Sequence, residues 1–107
     1  MTTKEIIEGK IAKRLKERPD AAKGIGVPVA ISLTGDGAGR WIIDCSKDPA
    51  EVREDATAAA QMTITMDGAD LIKMVQGELN PQMAFLAGKV KVDGNLGLAI
   101  KLGQILT

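Results

Sequence analysis

The stretch from Leu96 to Leu106 reads Leu-Gly-Leu-Ala-Ile-Lys-Leu-Gly-Gln-Ile-Leu, and it constrains the fold more than any other segment. Its length and its position after a Gly94-Asn95 turn predict a helix. A surface helix shows an apolar stripe a little over ~100° wide. Here only Gly97, Lys101, Gly103 and Gln104 interrupt the apolar residues, so the helix is apolar around most of its girth. Two arrangements accommodate it. Either the chain buries the helix on all sides, or part of its surface meets a ligand, a partner or a membrane. The chain has 107 residues, enough for a single domain over 1–107 with one core. Complete burial of a last helix is difficult in so small a domain.

The rest of the chain supplies a sheet and further helices. Thr2-x-x-Glu5 predicts a capping box. It opens a helix that Pro19 stops, with Ile7, Ile11 and Leu15 in one stripe and Ile6 beside them. The other faces carry Lys4, Lys10, Lys13, Arg14, Lys16 and Arg18 against Glu5, Glu8 and Glu17. That surface is either an ordinary solvated face or one drawn weakly to an anionic membrane. Residues 20–28 read as a loop. Val29, Ile31 and Leu33 then alternate with small or polar residues, the period of a strand with one buried face. A hairpin loop over 35–39 leads into a second strand with Trp41, Ile43 and Cys45 on one side. Residues 50–54 suit a charged edge strand. Residues 55–60 are Ala-rich and ambiguous. Met62, Ile64 and Met66 mark a fourth strand, and Asp67 caps a helix with Leu71, Met74 and Val75 inward. Asn80-Pro81 starts a short helix that ends at Gly88. Val90 and Val92 mark a fifth strand.

Composition excludes several functions. Lys and Arg number 14 and Asp and Glu 14, so no net charge favours a nucleic-acid backbone. Trp41 and Phe85 are the only aromatics, too few for a base-stacking platform. With no His and one Cys, no metal site or disulfide framework is expected. Gly35-Asp-Gly-Ala-Gly39 fails as a phosphate loop, because Arg40 follows and the chain enters a strand. Asp44, Asp67 and Asp93 are scattered carboxylates, and no nucleophile–base pair is evident. The N-terminus lacks a secretory apolar core and no window approaches ~18 consecutive apolar residues. The expected compartment is the cytoplasm, with Cys45 a small buried hydrophobe. Met62, Met66, Met74 and Met83 can fill gaps or adapt to ligands of varied shape.

A resemblance emerges from the C-terminal third. The elements Asn80-Pro81, Ala84-Phe85, Gly88-Lys89-Val90-Lys91, Gly94-Asn95 and Ala99-x-Lys101-Leu102 resemble the signature of the sterol carrier protein-2 lipid-transfer domain, in its free-standing microbial form. Met62-Thr-Ile-Thr-Met-Asp67, leading into Leu71-Ile-Lys-Met74, and Trp41-Ile-Ile-Asp44 are similar to other parts of that family. The resemblance implies an α+β fold: a five-stranded, mostly antiparallel sheet of order 3-2-1-4-5, covered on one face by four to five helices. It also implies an apolar tunnel between sheet and helices that takes sterols, phospholipids, fatty acids or fatty acyl-CoA, without catalysis, metal or cofactor. The family's tunnel positions map onto Trp41, Ile43, Met83, Phe85, Leu86, Leu98, Ile100, Leu102 and Ile105. Lys101 and Gln104 either meet a polar headgroup or are simply solvated. The sequence departs from the family in its last residues, Ile105-Leu106-Thr107, which are not a peroxisomal tripeptide. The expected partners are an apolar lipid and, transiently, a membrane surface, for a monomer or weak homodimer that binds no nucleic acid. The alternative is an interaction or enzyme-accessory module that uses the last helix to bind a partner or present an apolar substrate.

Overall fold

The computed structural model describes residues 2–35 and 37–106; Asp36 of the expected hairpin loop, Met1 and Thr107 lie outside the described residues. The first helix (α1, residues 3–17) runs through Thr3–Glu5, Ile6–Ile11 and Ala12–Glu17. The Thr2 hydroxyl accepts from the Glu5 amide at 3.1 Å, and the Glu5 carboxylate accepts from the Thr2 amide at 3.4 Å, as the capping box requires. The segment Ile6–Ile11 is π-helical. Residues five apart on an α-helix diverge by about 140°, and the wider turn of i→i+5 bonding narrows that angle without closing it. The wider turn therefore moves Ile6 toward the stripe of Ile7, Ile11 and Leu15, and all four are buried.

Pro19 ends α1 as expected, but the next residues are not a loop. Pro19–Ile25 forms α2. Proline suits the first helical position, where its missing N–H is not needed, and Ala21 and Ala22 favour helix. Gly26, at φ 66°, closes α2 in the left-handed conformation.

Five strands follow: β1 Pro28–Thr34, β2 Gly39–Asp44, β3 Glu51–Glu54, β4 Met62–Asp67 and β5 Val90–Asp93. Between and after β4 and β5 come α3 Gly68–Val75, α4 Pro81–Leu86 and α5 Leu96–Leu106. The sheet order is β3-β2-β1-β4-β5, with β1 and β4 parallel and the remaining pairs antiparallel. This is the α+β architecture expected. The register aligns Trp41 with Ile31, Ile31 with Ile64, and Ile64 with Val92. An apolar row thus crosses four strands on the inner face, and the helices pack their buried residues against it. Ala30 and Ile42, on the opposite face, are also fully buried. To reach β4 from β3, residues 55–61 must cross β2 and β1, and Arg40 on that outer face donates to the Asp55 carbonyl at 3.1 Å.

Arg14 ties the helical layer together. Its guanidinium donates to the Leu106 carbonyl at the end of α5 and, at 3.1 Å, to the Val75 carbonyl at the end of α3. Both acceptors lie at helix C-termini, where carbonyls lack intrahelical partners and the helix dipole favours a cation.

Two outcomes follow from these packing details. Gly9 lies exposed on α1, and a Cβ there meets nothing within 4 Å. Gly9→Ala should stabilise the fold by up to ~1 kcal/mol and raise Tm by several degrees in a thermal melt. Burial first, and then the negative charge of Asp44, push the Cys45 thiol up to about 11 from its ordinary 9.0. Between those two values the folded protein keeps a proton the unfolded chain has lost, so stability should fall as pH rises from 9.0 toward about 11. Urea-melt midpoints across that range should show the fall in the native sequence and a smaller one in Cys45→Ala.

Candidate functional site

The helices do not cover the sheet evenly. Above β1 and β2 the inner face is covered: Trp41, Ile43 and Val29 are buried in one cluster with Ile6, Ile7 and Ile11. Toward β4 and β5 a cavity of about 500 Å³ opens between sheet and helices. Its floor consists of Ile31, Ile64, Met66, Val90 and Val92, alternate residues of three adjacent strands. Pro81, Gln82, Phe85 and Leu86 of α4 and Leu96, Ala99, Ile100, Gly103, Gln104 and Leu106 of α5 form the roof, and Met74 of α3 and Asn80 complete the wall.

The local sequence explains why this space stays open. On α5 the lining residues Leu96, Ala99, Ile100, Gly103 and Leu106 recur at helical spacing on one flank, and two of the five are small. A Cβ on Gly103 would stand 3.0 Å from the Pro81 Cβ, so α4 and α5 brace each other at that point rather than settling onto the valines of β5. The opening is bordered by Leu86, 79% exposed, Leu96, 42%, and Ile100, 36%.

No lining residue carries a charge; the polar ones are Asn80, Gln82 and Gln104. The Asn80 carboxamide oxygen accepts from the Gln82 and Met83 amides at 2.9 and 3.2 Å, so it is committed to capping α4. Such a wall offers dispersion contacts and removal of apolar surface from water, and almost no directional bonding. A second hollow of about 300 Å³ lies on the other flank of α5, lined by Arg18, Ala21, Gly24, Lys101, Gln104 and Ile105. Gln104 borders both spaces, on the ridge of the helix between them.

Of the tunnel positions implied by the resemblance, Phe85, Leu86 and Ile100 line the main cavity. The others lie elsewhere. Trp41 and Ile43 fill the solid core above β2. Leu102 is fully buried on the flank of α5 that faces the core, with the half-buried Leu98 packed against that core. Ile105 is buried and borders the second hollow. Met83 points outward, 64% exposed. The physical reason is the girth of α5: its apolar residues serve two flanks, one against protein and one against the cavity, and composition alone does not separate them. Met66 and Met74, two of the methionines able to adapt to a ligand, also line the cavity, whereas nothing in the sequence marks Ile64, Val90 and Val92 as ligand contacts. Strand alternation marks them as inward, but a side chain facing a void follows the same pattern as one facing a neighbour.

Comparison with known proteins is consistent along the whole chain. The model of the SCP-2 sterol transfer family matches residues 8–107. Sterol carrier protein 2 of Rattus norvegicus is 37% identical over 104 residues, covering 94% of this chain and 19% of that protein. Hydroxysteroid dehydrogenase-like protein 2 of Xenopus laevis is 40% identical over 75 residues, covering 69% of this chain and 18% of that protein. The chain therefore spans about a fifth of the length of these curated relatives. Among solved structures, sterol carrier protein-2 of Aedes aegypti in complex with the C16 fatty acid palmitate superposes with a TM-score of 0.79 at 25% identity, covering 100% of this chain and 96% of that one. Sterol carrier protein domain 2 of Helicoverpa armigera gives a TM-score of 0.72 at 27% identity, over 95% of this chain and 80% of that one.

Trp41 supports the solid half of the inner face. Its indole ring lies against Gly39, where a Cβ would come within 2.7 Å of two ring carbons. Its Nε1 is buried with no hydrogen-bond partner among the described residues. The ring cannot rotate away without disturbing the row it shares with Ile31. Gly39→Ala should therefore destabilise the fold by about 1–3 kcal/mol, measured by denaturant melts, through overpacking.

Proposed function

The chain belongs to the SCP-2 sterol transfer family, and on that premise we propose that it binds and carries apolar lipids in the cavity beneath α4 and α5. One observation carries the reading: a space of about 500 Å³ between sheet and helices, open at one side, whose lining includes no charged side chain. A methylene group takes roughly the room of a water molecule in the liquid, ~30 Å³, so the space has room for a chain of up to about seventeen carbons. The Aedes aegypti protein solved with palmitate supports a ligand of that class.

The energetics favour exchange over permanent capture. Burial of one CH₂ contributes about 0.8 kcal/mol relative to water, so a ten-carbon chain gains roughly 8 kcal/mol on entering the cavity. A bilayer interior offers nearly the same gain. The net free energy of moving a lipid from membrane to protein is then small, which lets the protein both load and release. The role proposed is non-catalytic: the chain has no His, and the cavity wall presents no acid, base or nucleophile. An enzymatic partner, where one exists, would receive the lipid from this domain.

Lipid extraction of the purified protein followed by mass analysis tests the reading, together with titration by a fluorescent fatty acid in solution. The native sequence should hold about one probe per chain. Ala99→Trp, which places an indole in the cavity from the flank of α5, should reduce that capacity severalfold while thermal melts remain cooperative. No extractable lipid and no probe uptake by the folded native protein would overturn the proposal. So would full uptake by Ala99→Trp.

A further inference from the structure

The sheet ends in two edge strands, and their charges are disposed differently. β3 and β5 each pair with one neighbour, so the outer N–H and C=O groups of each have no ladder among the described residues. Such an edge is a template for another strand unless its side chains guard it. On β3 the charges are engaged locally: Lys47 holds Glu51 at 3.0 Å, Arg53 lies 3.8 Å from Asp55, and Lys4 lies 3.9 Å from Glu54. On β5 the two charged residues, Lys91 and Asp93, are exposed and make no ion pair among the described residues. From this contrast we infer that β5 pairs antiparallel with β5 of a second copy, joining two sheets of five strands into one of ten.

The charges select the register. A two-fold axis perpendicular to the sheet keeps each side chain on its own face, so valines oppose valines and charged residues oppose charged residues. With the axis at Val92, Lys91 stands opposite Asp93 of the partner subunit, and the symmetry repeats that pair. With the axis at Lys91 or at Asp93, identical charges meet at the centre. With the axis at Val90, Lys91 faces Lys89 of the partner subunit. Opposite charges directly across an antiparallel pair stabilise it, and like charges destabilise it. The register at Val92 alone is free of repulsion. It also prolongs the inner apolar row, in which Ile31, Ile64 and Val92 are already aligned.

A second feature lies beside the same edge. Large apolar side chains left exposed among the described residues are Met83, Leu86, Leu96 and Ile100, all on α4 and α5. Leu86 stands four residues before β5 and Leu96 three after it. An exposed apolar cluster on a small domain marks a contact surface. Because the axis is perpendicular to the sheet, both helical layers lie on one face, and the second copy brings its own α4 and α5 toward this patch. An extended peptide laid on β5 would satisfy the edge and leave the patch in water.

Sedimentation of the full chain over a concentration series tests the pairing, with each variant checked for folding by thermal melt. The native chain should dimerise reversibly, and amides of residues 90–94 should exchange hydrogen more slowly as the dimer forms. Lys91→Asp and Asp93→Lys each turn two attractive cross-strand pairs into two repulsive ones and should raise the dissociation constant at least about fivefold. Mixed together, these two variants should form a heterodimer tighter than either homodimer, because each strand then carries a single sign. A mere loss of stability in the variants could not produce that gain. The inference fails if the native chain stays monomeric at millimolar concentration, if either variant dimerises as the native chain does, or if the mixture associates no better than its components. A dimer that Arg53→Glu breaks and Lys91→Asp leaves intact belongs to β3 and overturns it as well. So does a dimer in which residues 90–94 gain no protection.

Discussion

The structure depends on a mismatch of area. Five strands turn one apolar face inward, and a sheet of that width, with neighbouring strands ~4.8 Å apart, exceeds what one or two helices ~10 Å across can cover. The isoleucines of α1 close the β1–β2 half completely. The remaining half falls to α3, α4 and α5, of which α4 is a short helix over Pro81–Leu86. Where Gly103 meets Pro81 the two roof helices rest on each other, and the valines of β5 are left only partly covered. The cavity is a residue of this geometry rather than a separately built chamber.

The roof is fastened asymmetrically. The C-terminal half of α5 is held by the burial of Leu102, Ile105 and Leu106, and by Arg14 bonding the Leu106 carbonyl. The N-terminal half has Leu96 and Ile100 partly in solvent, and its tie is the Asn95 carboxamide accepting from the Leu98 amide at 3.1 Å. Gly97 lies in that half and lowers its helix propensity. Fewer buried contacts at one end mean a lower local free energy of opening there than at the other. The border of the cavity coincides with the loosely held end.

Much of this fold was legible in the residues. Alternation in Val29–Leu33 and Met62–Met66, the Asp67 and Asn80 caps and the Thr2–Glu5 box correspond to observed elements, because each is decided by neighbours a few positions away. Strand order came from the family resemblance, since alternation carries no information about which strands pair. The helix Pro19–Ile25 is hidden in the sequence because one proline, Pro19, both stops α1 and begins α2. The candidate site was less legible. Period-3.6 and period-2 patterns separate inside from outside, but they do not separate a filled interior from an empty one. Phe85, Leu86 and Ile100 therefore stand at the cavity, while Trp41, Ile43 and Leu102, equally apolar and equally inward by pattern, stand in solid core.

The cavity wall has one aromatic, Phe85, and otherwise aliphatic carbon, methionine sulfur, two small residues, one proline and three amides. A surface of that kind has few donors or acceptors, and no charge, by which to tell one functional group from another along a guest's length. What it can measure is bulk. Each carbon too many must find room by moving a flexible methionine, and a hydroxyl carried inside would lose its hydration without a replacement, at a cost of about 1–3 kcal/mol on protein-derived scales. Selection by such an interior sorts molecules by thickness and dryness, and leaves their chemical identity to be read by whatever receives them.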